Sequence, residues 1–129
     1  MVAEVETILG QIVGKANNYQ AVPDKNGGRR IIKNARIRDY EKSFIRQCTI
    51  YKNRGIHTPF TLQATMYYAN NRYDLDNSIK TLLDCLQYVG AITDDKFCTR
   101  IEVTKKIGKP RVEFALIAEP EPPNLFNSL

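Results

Sequence analysis

The chain has no tryptophan, one histidine, two methionines and three cysteines among 129 residues. Each shortage excludes something. Cys48, Cys85 and Cys98 are odd in number and widely spaced, so no closed disulfide framework uses them all, and there is no CxxC pair or Cys/His cluster at zinc spacing. They read as small buried hydrophobes in a reducing compartment. His57, the lone imidazole, reads as a loop or strand-edge residue without a catalytic part. No apolar run approaches the roughly 18 residues that a membrane-spanning helix requires. The first residues, with Glu4 and Glu6, lack the basic-then-apolar layout of a secretory leader. The expectation is a soluble protein inside the cell, with no membrane partner. The length suits one hydrophobic core and leaves no room for a separate domain holding an organic cofactor.

What is present is ordinary in amount and uneven in placement. Hydrophobic residues make up 43% and charged residues 26%, as in a globular domain. Nineteen Lys and Arg against fourteen Asp and Glu leave a net charge of +5. Between Gly14 and Gly55, however, eleven basic residues face three acidic ones, a surplus of eight, so the remainder is net acidic. A surplus of that kind suits a polyanion, because each Lys or Arg near a phosphate releases condensed counterions. A solvated basic face with no ligand is the alternative. Charge alone does not separate DNA, RNA and a membrane surface.

Hydrophobic periodicity divides the chain. Val5 to Val13 reads as a strand, and Lys15 to Lys33, with Asn17-Asn18, Pro23-Asp24 and Asn26-Gly27-Gly28, reads as a basic loop or ribbon around a tight turn. From Ala35 to Asn53, Ile37, Tyr40, Phe44, Cys48 and Tyr51 form one helical face, Arg38, Lys42 and Arg46 line another, and Gly55 supplies the stop. Phe60 to Ala69 alternates as a strand. Asp74 to Gly90 reads as strand exit and helix, with Leu75, Ile79, Leu82, Leu83, Leu86 and Val89 as the buried stripe. Phe97–Lys105 and Arg111–Ala118 read as two closing strands. The expected fold is of the α/β (α+β) class, a mixed sheet of about four strands with two helices packed on it over residues 1–118. Residues 119–129, Pro-rich, form an extended tail.

The chemistry concentrates in Arg72-Tyr73-Asp74-Leu75-Asp76-Asn77, followed by Lys80. In an extended backbone, residues two apart project to the same side, so the Asp74 and Asp76 carboxylates can converge on one cation. Lys80 lies one helical turn beyond Asp76. A second acidic pair, Asp94-Asp95, follows the helix end at Gly90, and a reversal at Ala91–Thr93 offers a way to return one of its carboxylates to the sheet edge. Hard oxygen ligands in that number suit Mg²⁺ or Mn²⁺, which can activate a bound water and clamp a phosphoryl oxygen. Beside a basic surface, that describes phosphodiester hydrolysis. Plainer roles stand next to it: Asp74 or Asp76 as a helix cap, Lys80 as an i,i+4 ion-pair partner, Asp94-Asp95 as turn residues.

Asp74-Leu75-Asp76-Asn77, Lys80, Asp84, Leu86, Gly90 and Asp94-Asp95 closely resemble the pattern of the RusA-type Holliday junction endonucleases. The similarity extends to Ala16-Asn17-Asn18-Tyr19 after the first strand, to Arg38–Phe44 at the start of the first helix, and to the Gly108-Lys109-Pro110 turn before Val112-Glu113-Phe114. It spans about residues 8 to 118. The resemblance implies a RusA-like homodimer that binds four-way DNA junctions and nicks two opposed strands with Mg²⁺, leaving 5′-phosphate and 3′-hydroxyl ends, in recombination and repair. It further implies a cytoplasmic, nucleoid-associated protein of bacterial or phage origin. Carried over by position, Asp74, Asp76 and Asp95 are the metal-binding carboxylates, Lys80 the essential lysine, and Asn77 and Asp94 supporting residues. Ser78 departs from the Leu usual after the Asn, and Lys96-Phe97 from the Gln-Val or Gln-Ile usual after Asp-Asp. Backbone phosphates fall to Lys15, Asn17, Asn18, Lys25, Arg29, Arg30 and Lys33 of the ribbon, to Arg38, Lys42 and Arg46 of the helix, and to Arg72. The competing readings are a non-catalytic junction-binding module and a nuclease for flaps or forks.

Overall fold

The computed structural model of the chain describes residues 3–14 and 19–122. In chain order the elements are β1 (Glu6–Leu9), β2 (Tyr19–Pro23), β3 (Arg29–Lys33), α1 (Ala35–Gln47), β4 (Phe60–Tyr68), α2 (Leu75–Tyr88), a short 3-10 turn (Asp95–Phe97), β5 (Cys98–Ile107) and β6 (Arg111–Ala118). Four strands form one sheet in the order β1-β6-β4-β5, while β2 and β3 pair separately as a two-stranded ribbon. β6 runs antiparallel to both β1 and β4, and β5 runs parallel to β4. This is the expected mixed sheet with two helices.

The alternation of β4 explains which face is covered. Phe60, Leu62, Ala64, Met66 and Tyr68 are buried, and opposite them on β6 stand Leu116, Phe114 and Val112. Ile37, Tyr40 and Phe44 of α1 and Leu82, Cys85 and Leu86 of α2 complete the core. Phe44 stacks on Phe114 with centroids 5.9 Å apart, and Tyr51 tilts against the same ring at 5.6 Å. Burial of that scale, at about 25 cal/mol per Å² of apolar surface, is the main force joining helices to sheet.

Most boundaries fall within two residues of expectation, β5 running Cys98–Ile107 for instance, and two differ by more. α1 ends at Gln47, not at Asn53. Glu6, buried on β1, draws the backbone N–H groups of Thr49, Ile50 and Tyr51 onto one carboxylate oxygen at 3.0, 2.7 and 3.2 Å, and the Cys48 thiol donates to it as well. Those amides then cannot continue the helical ladder, although Cys48 and Tyr51 keep their predicted burial. β1 stops at Leu9 rather than Val13 because Gly10 turns with φ near +109° and gives its N–H to Pro110. Residues 11–14 leave the sheet and lie on α2, where Thr81 Oγ1 donates to the Val13 carbonyl at 2.7 Å.

The ribbon turn follows its sequence closely. Asp24 Oδ1 accepts from the N–H groups of Asn26 and Gly28, and Gly27 takes φ near +82°. At the other end of the chain, Glu119 continues beyond β6 and donates its N–H to Pro59, while residues 123–129 of the expected tail lie outside the described residues.

The parallel β4–β5 pair decides where the acidic residues go. Parallel neighbours require a crossover, and α2 supplies it. Asp74 lies in the chain just beyond the end of β4, across the loop that follows Tyr68, whereas Cys98, which opens β5, pairs with Phe60 at the start of β4. The helix between them is 14 residues long, about 21 Å at 1.5 Å per residue.

Candidate active site

Asp74 is the N-cap of α2. One carboxylate oxygen accepts from the Asp76 N–H at 3.1 Å and the other from the Asn77 side-chain amide at 3.3 Å. The capping role is therefore real, and it leaves the carboxylate further lone pairs, since an ionised carboxylate accepts about four bonds. The Asp74 carbonyl is held by Ser78 through both its N–H and its hydroxyl, at 3.3 and 3.2 Å. Asp76 and Lys80 lie on exposed positions of the same helix, one turn apart. Asn77 keeps the Asp74 side chain in place.

The approach to Asp74 is braced from the edge strand. Lys105 of β5 donates to the Tyr73 carbonyl at 2.6 Å and to the Asn71 carbonyl at 3.4 Å, and it sits 5.5 Å from the Tyr68 ring centroid. Tyr68 stacks on Tyr73 at 5.3 Å. Beside Asp74 is a hollow of about 130 Å³ lined by Val13, Gly14, Arg36, Arg72, Tyr73, Asp74, Asn77 and Ser78. A Cβ on Gly14 would stand 2.9 Å from Asn77 Cβ, so glycine there lets the 11–14 segment close against α2. A larger hollow, about 610 Å³, lies over Gln63, Thr65, Glu102 and Glu113 on the sheet and contains none of the predicted residues.

Asp94 and Asp95 stand at the far end of α2. Asp94 caps the 3-10 turn by accepting the Lys96 N–H at 2.9 Å, and that bond holds its carboxyl below the usual carboxylate range. Asp95 is exposed at the first position of that turn. The reversal after Gly90 does return the chain to the sheet, with Ile56 bridging Ile92, but at the start of β4. Asp95 of one chain thus does not join Asp74 and Asp76, and among the described residues no three His, Cys, Asp or Glu side chains gather closely enough to hold a metal.

The basic residues divide by what holds them. Lys25, Arg29 and Arg30 project from the ribbon, and Arg38, Lys42 and Arg46 form an exposed stripe along α1. Arg72 lines the hollow beside Asp74. Lys33 is engaged instead as the root of the ribbon, donating to Glu41 at 2.9 Å and to Tyr88 at 2.8 Å. Burial acts to lower its pKa, and the bonds to Tyr88 and Glu41 outweigh it and raise it. Lys15, Asn17 and Asn18 lie outside the described residues. Arg36, Ser78 and Lys105 gained no role from sequence. Arg36 falls off the four-residue stripe, the bond of Ser78 to the Asp74 carbonyl depends on where α2 starts, and the contacts of Lys105 become visible only once the strands are ordered. All three thiols have raised pKa values, chiefly through burial, with Cys48 pushed up to about 12, so none is set up as a nucleophile.

α2 begins at Leu75, so Asp76 stands in the first turn of the helix and not two places along an extended backbone from its cap Asp74, with Lys80 one turn further on. Among the described residues no helix is long and apolar enough to cross a membrane. A comparison with curated proteins returns no match. The family model for endodeoxyribonuclease RusA matches residues 10–117, which takes in β2 to β5, all but the last residue of β6, both helices and both acidic pairs, and the chain belongs to that family.

Proposed function

We propose that the chain is a divalent-metal-dependent endodeoxyribonuclease that resolves four-way DNA junctions by paired nicks, acting as a homodimer. The observation that carries this reading is the Asp74–Asp76–Lys80 arrangement at the start of α2, in a chain of an endodeoxyribonuclease family with a basic ribbon and helix face. Two carboxylates with free lone pairs fit Mg²⁺ or Mn²⁺, which take one or two carboxylates and fill their remaining positions with water and phosphate oxygens. Asp74 and Asp76 would hold such an ion. When bound, it supplies an activated water and a clamp on the phosphoryl oxygen.

The chain's own residues do the rest. Asn77 orients Asp74 by donating to its second oxygen. Lys80 stabilises the negative charge that builds on the phosphate oxygens, which is preorganised electrostatic catalysis. Lys25, Arg29, Arg30, Arg38, Lys42 and Arg46 bind backbone phosphates and so position the duplex arms without reading sequence. Products with 5′-phosphate and 3′-hydroxyl ends follow from the family resemblance.

A homodimer answers the separation of the acidic pairs. With α2 between them, Asp95 completes the site at Asp74 only when a second copy provides it, and two-fold symmetry then generates two equal sites for a substrate of matching symmetry.

The deciding experiment is cleavage of an end-labelled four-way junction by the purified chain with Mg²⁺, Mn²⁺ or chelator, beside flap, fork and linear duplex. Metal-dependent, symmetrically paired cuts in the junction support the reading. Tight junction binding without cuts in either metal would instead favour a non-catalytic module, and equal cutting of flaps would favour a general branched-DNA nuclease.

A further inference from the structure

We propose that the hollow beside Asp74 seats one backbone phosphate of the DNA, gripped by Arg36 and Arg72; the assignment rests on the junction-cutting reading and gives it a residue that the acidic motif does not contain. The hollow is about 130 Å³, well under the roughly 300–1,000 Å³ of pockets that enclose whole small molecules. Its size suits a phosphate group rather than a nucleotide. Its polar walls come from separate elements. Arg36 belongs to the first turn of α1 and Arg72 to the loop that leads from β4 into α2.

Arg36 breaks a local rule where it stands. The first turn of a helix favours negative charge, and α1 has no acidic residue there, carrying Arg36 and then Arg38 instead. Such a conflict is resolved when an anion arrives. Neither guanidinium forms an ion pair with Asp74 or with any other described residue, so both forks keep their donors for a ligand. The Arg72 backbone is held in its turn, its N–H donating to Asn70 Oδ1 at 2.9 Å. Guanidinium groups match phosphate oxygens with paired donors, which a lysine cannot do. Two positive charges also outnumber the single carboxylate in the hollow. The phosphate so held would lie next to the one that is cut, setting the distance between Asp74 and the scissile bond.

The test uses Asp74→Asn, which removes cleavage so that binding is read alone. Into it go Arg36→Gln, Arg72→Gln and both together. Each is measured against four-way junctions in which single phosphates near the cut are replaced by uncharged methylphosphonate. Each arginine change is expected to weaken binding roughly tenfold and to reduce the salt slope by about one. One methylphosphonate position should weaken the parent by a similar factor and have no further effect on the double variant. Both side chains are exposed, so the melting temperature should not fall. An unchanged affinity and slope for Arg36→Gln would overturn the proposal, as would a double variant still sensitive at every phosphate. A parent that binds no junction would overturn the junction reading beneath it as well, which distinguishes the two failures.

Discussion

Two carboxylates in this chain gather donors, and their surroundings give them opposite roles. Glu6, at the junction of β1 with the segment after α1, is 4% exposed and takes three backbone N–H groups and a thiol on a single oxygen. Asp74, at the junction of β4 with α2, takes one backbone N–H and one side-chain amide and is open to solvent beside two arginines. Glu6 is closed off from any ligand and holds a helix end in place. Asp74 is oriented by its bonds and still has lone pairs to offer. A carboxylate available for chemistry is one fixed by a few partners and not surrounded by them.

The largest effect that would break this contrast is on turnover. Asp74→Asn keeps the cap, because Asn and Asp are equivalent N-cap residues. It should therefore lower metal-dependent junction cleavage by about a thousandfold or more while thermal unfolding and junction binding stay near native. Wild-type nicking by this variant would remove Asp74 from the site. Glu6→Ala should behave in reverse. It leaves three N–H groups without their acceptor, at about 1 kcal/mol or more each, so a loss of about 3 kcal/mol on denaturant unfolding is expected. Any fall in cleavage should then track the unfolded fraction.

The next test concerns the two acidic pairs. Preparations of Asp74→Asn and of Asp95→Asn should each be inactive alone. Exchanged into mixed dimers, they should regain nicking at a single strand, because one site then carries both changes and the other neither. If the three carboxylates belonged to one chain, mixing would restore nothing. Gel analysis of nicked against fully resolved junction products separates these outcomes.

Much of this arrangement is legible along the chain. The alternation of Phe60–Tyr68 and the stripe of Leu82 and Leu86 mark β4 and α2, and Asp24 with Asn26-Gly27-Gly28 marks the ribbon turn, because their causes are local. The end of α1 is not legible. Cys48 and Tyr51 keep helical spacing and burial, and what stops the helix is Glu6, more than forty residues upstream. The distance between Asp74 and Asp95 depends on β5 running parallel to β4, which no spacing between aspartates reports. Ser78 is a departure from the family pattern that the fold explains: buried at 1% exposure, it bonds the Asp74 carbonyl, so a polar residue serves where an apolar one is usual.

A smaller effect sharpens the view of Glu6. Cys48 is held protonated first by burial and then by its bond to Glu6, with a pKa of about 12. In the native chain, alkylation near pH 8 should label half-buried Cys98 before Cys48 and Cys85. Glu6→Gln, which removes the charge, should speed labelling of Cys48 specifically. Peptide mass analysis over time reads this, and unchanged Cys48 kinetics would separate the thiol from its carboxylate.

The smallest effect belongs to a carboxylate with neither burial nor a ring of donors. Glu121 pairs with His57 where both are exposed. The imidazole pKa is raised above its ordinary 6.5, first by the Gly55 carbonyl and then by Glu121. A raised pKa means that the folded chain binds the proton more tightly than the unfolded one. The stabilisation is therefore complete below the ordinary value and disappears as pH rises through the folded one. His57→Gln should lower the melting temperature slightly at about pH 5.5 and not at all by about pH 8.5. An equal gap at both values would mean that His57 contributes through packing and not through its charge. A small gap confined to acid would complete the series from Glu6 to Glu121, in which a carboxylate's effect on stability falls as its exposure rises.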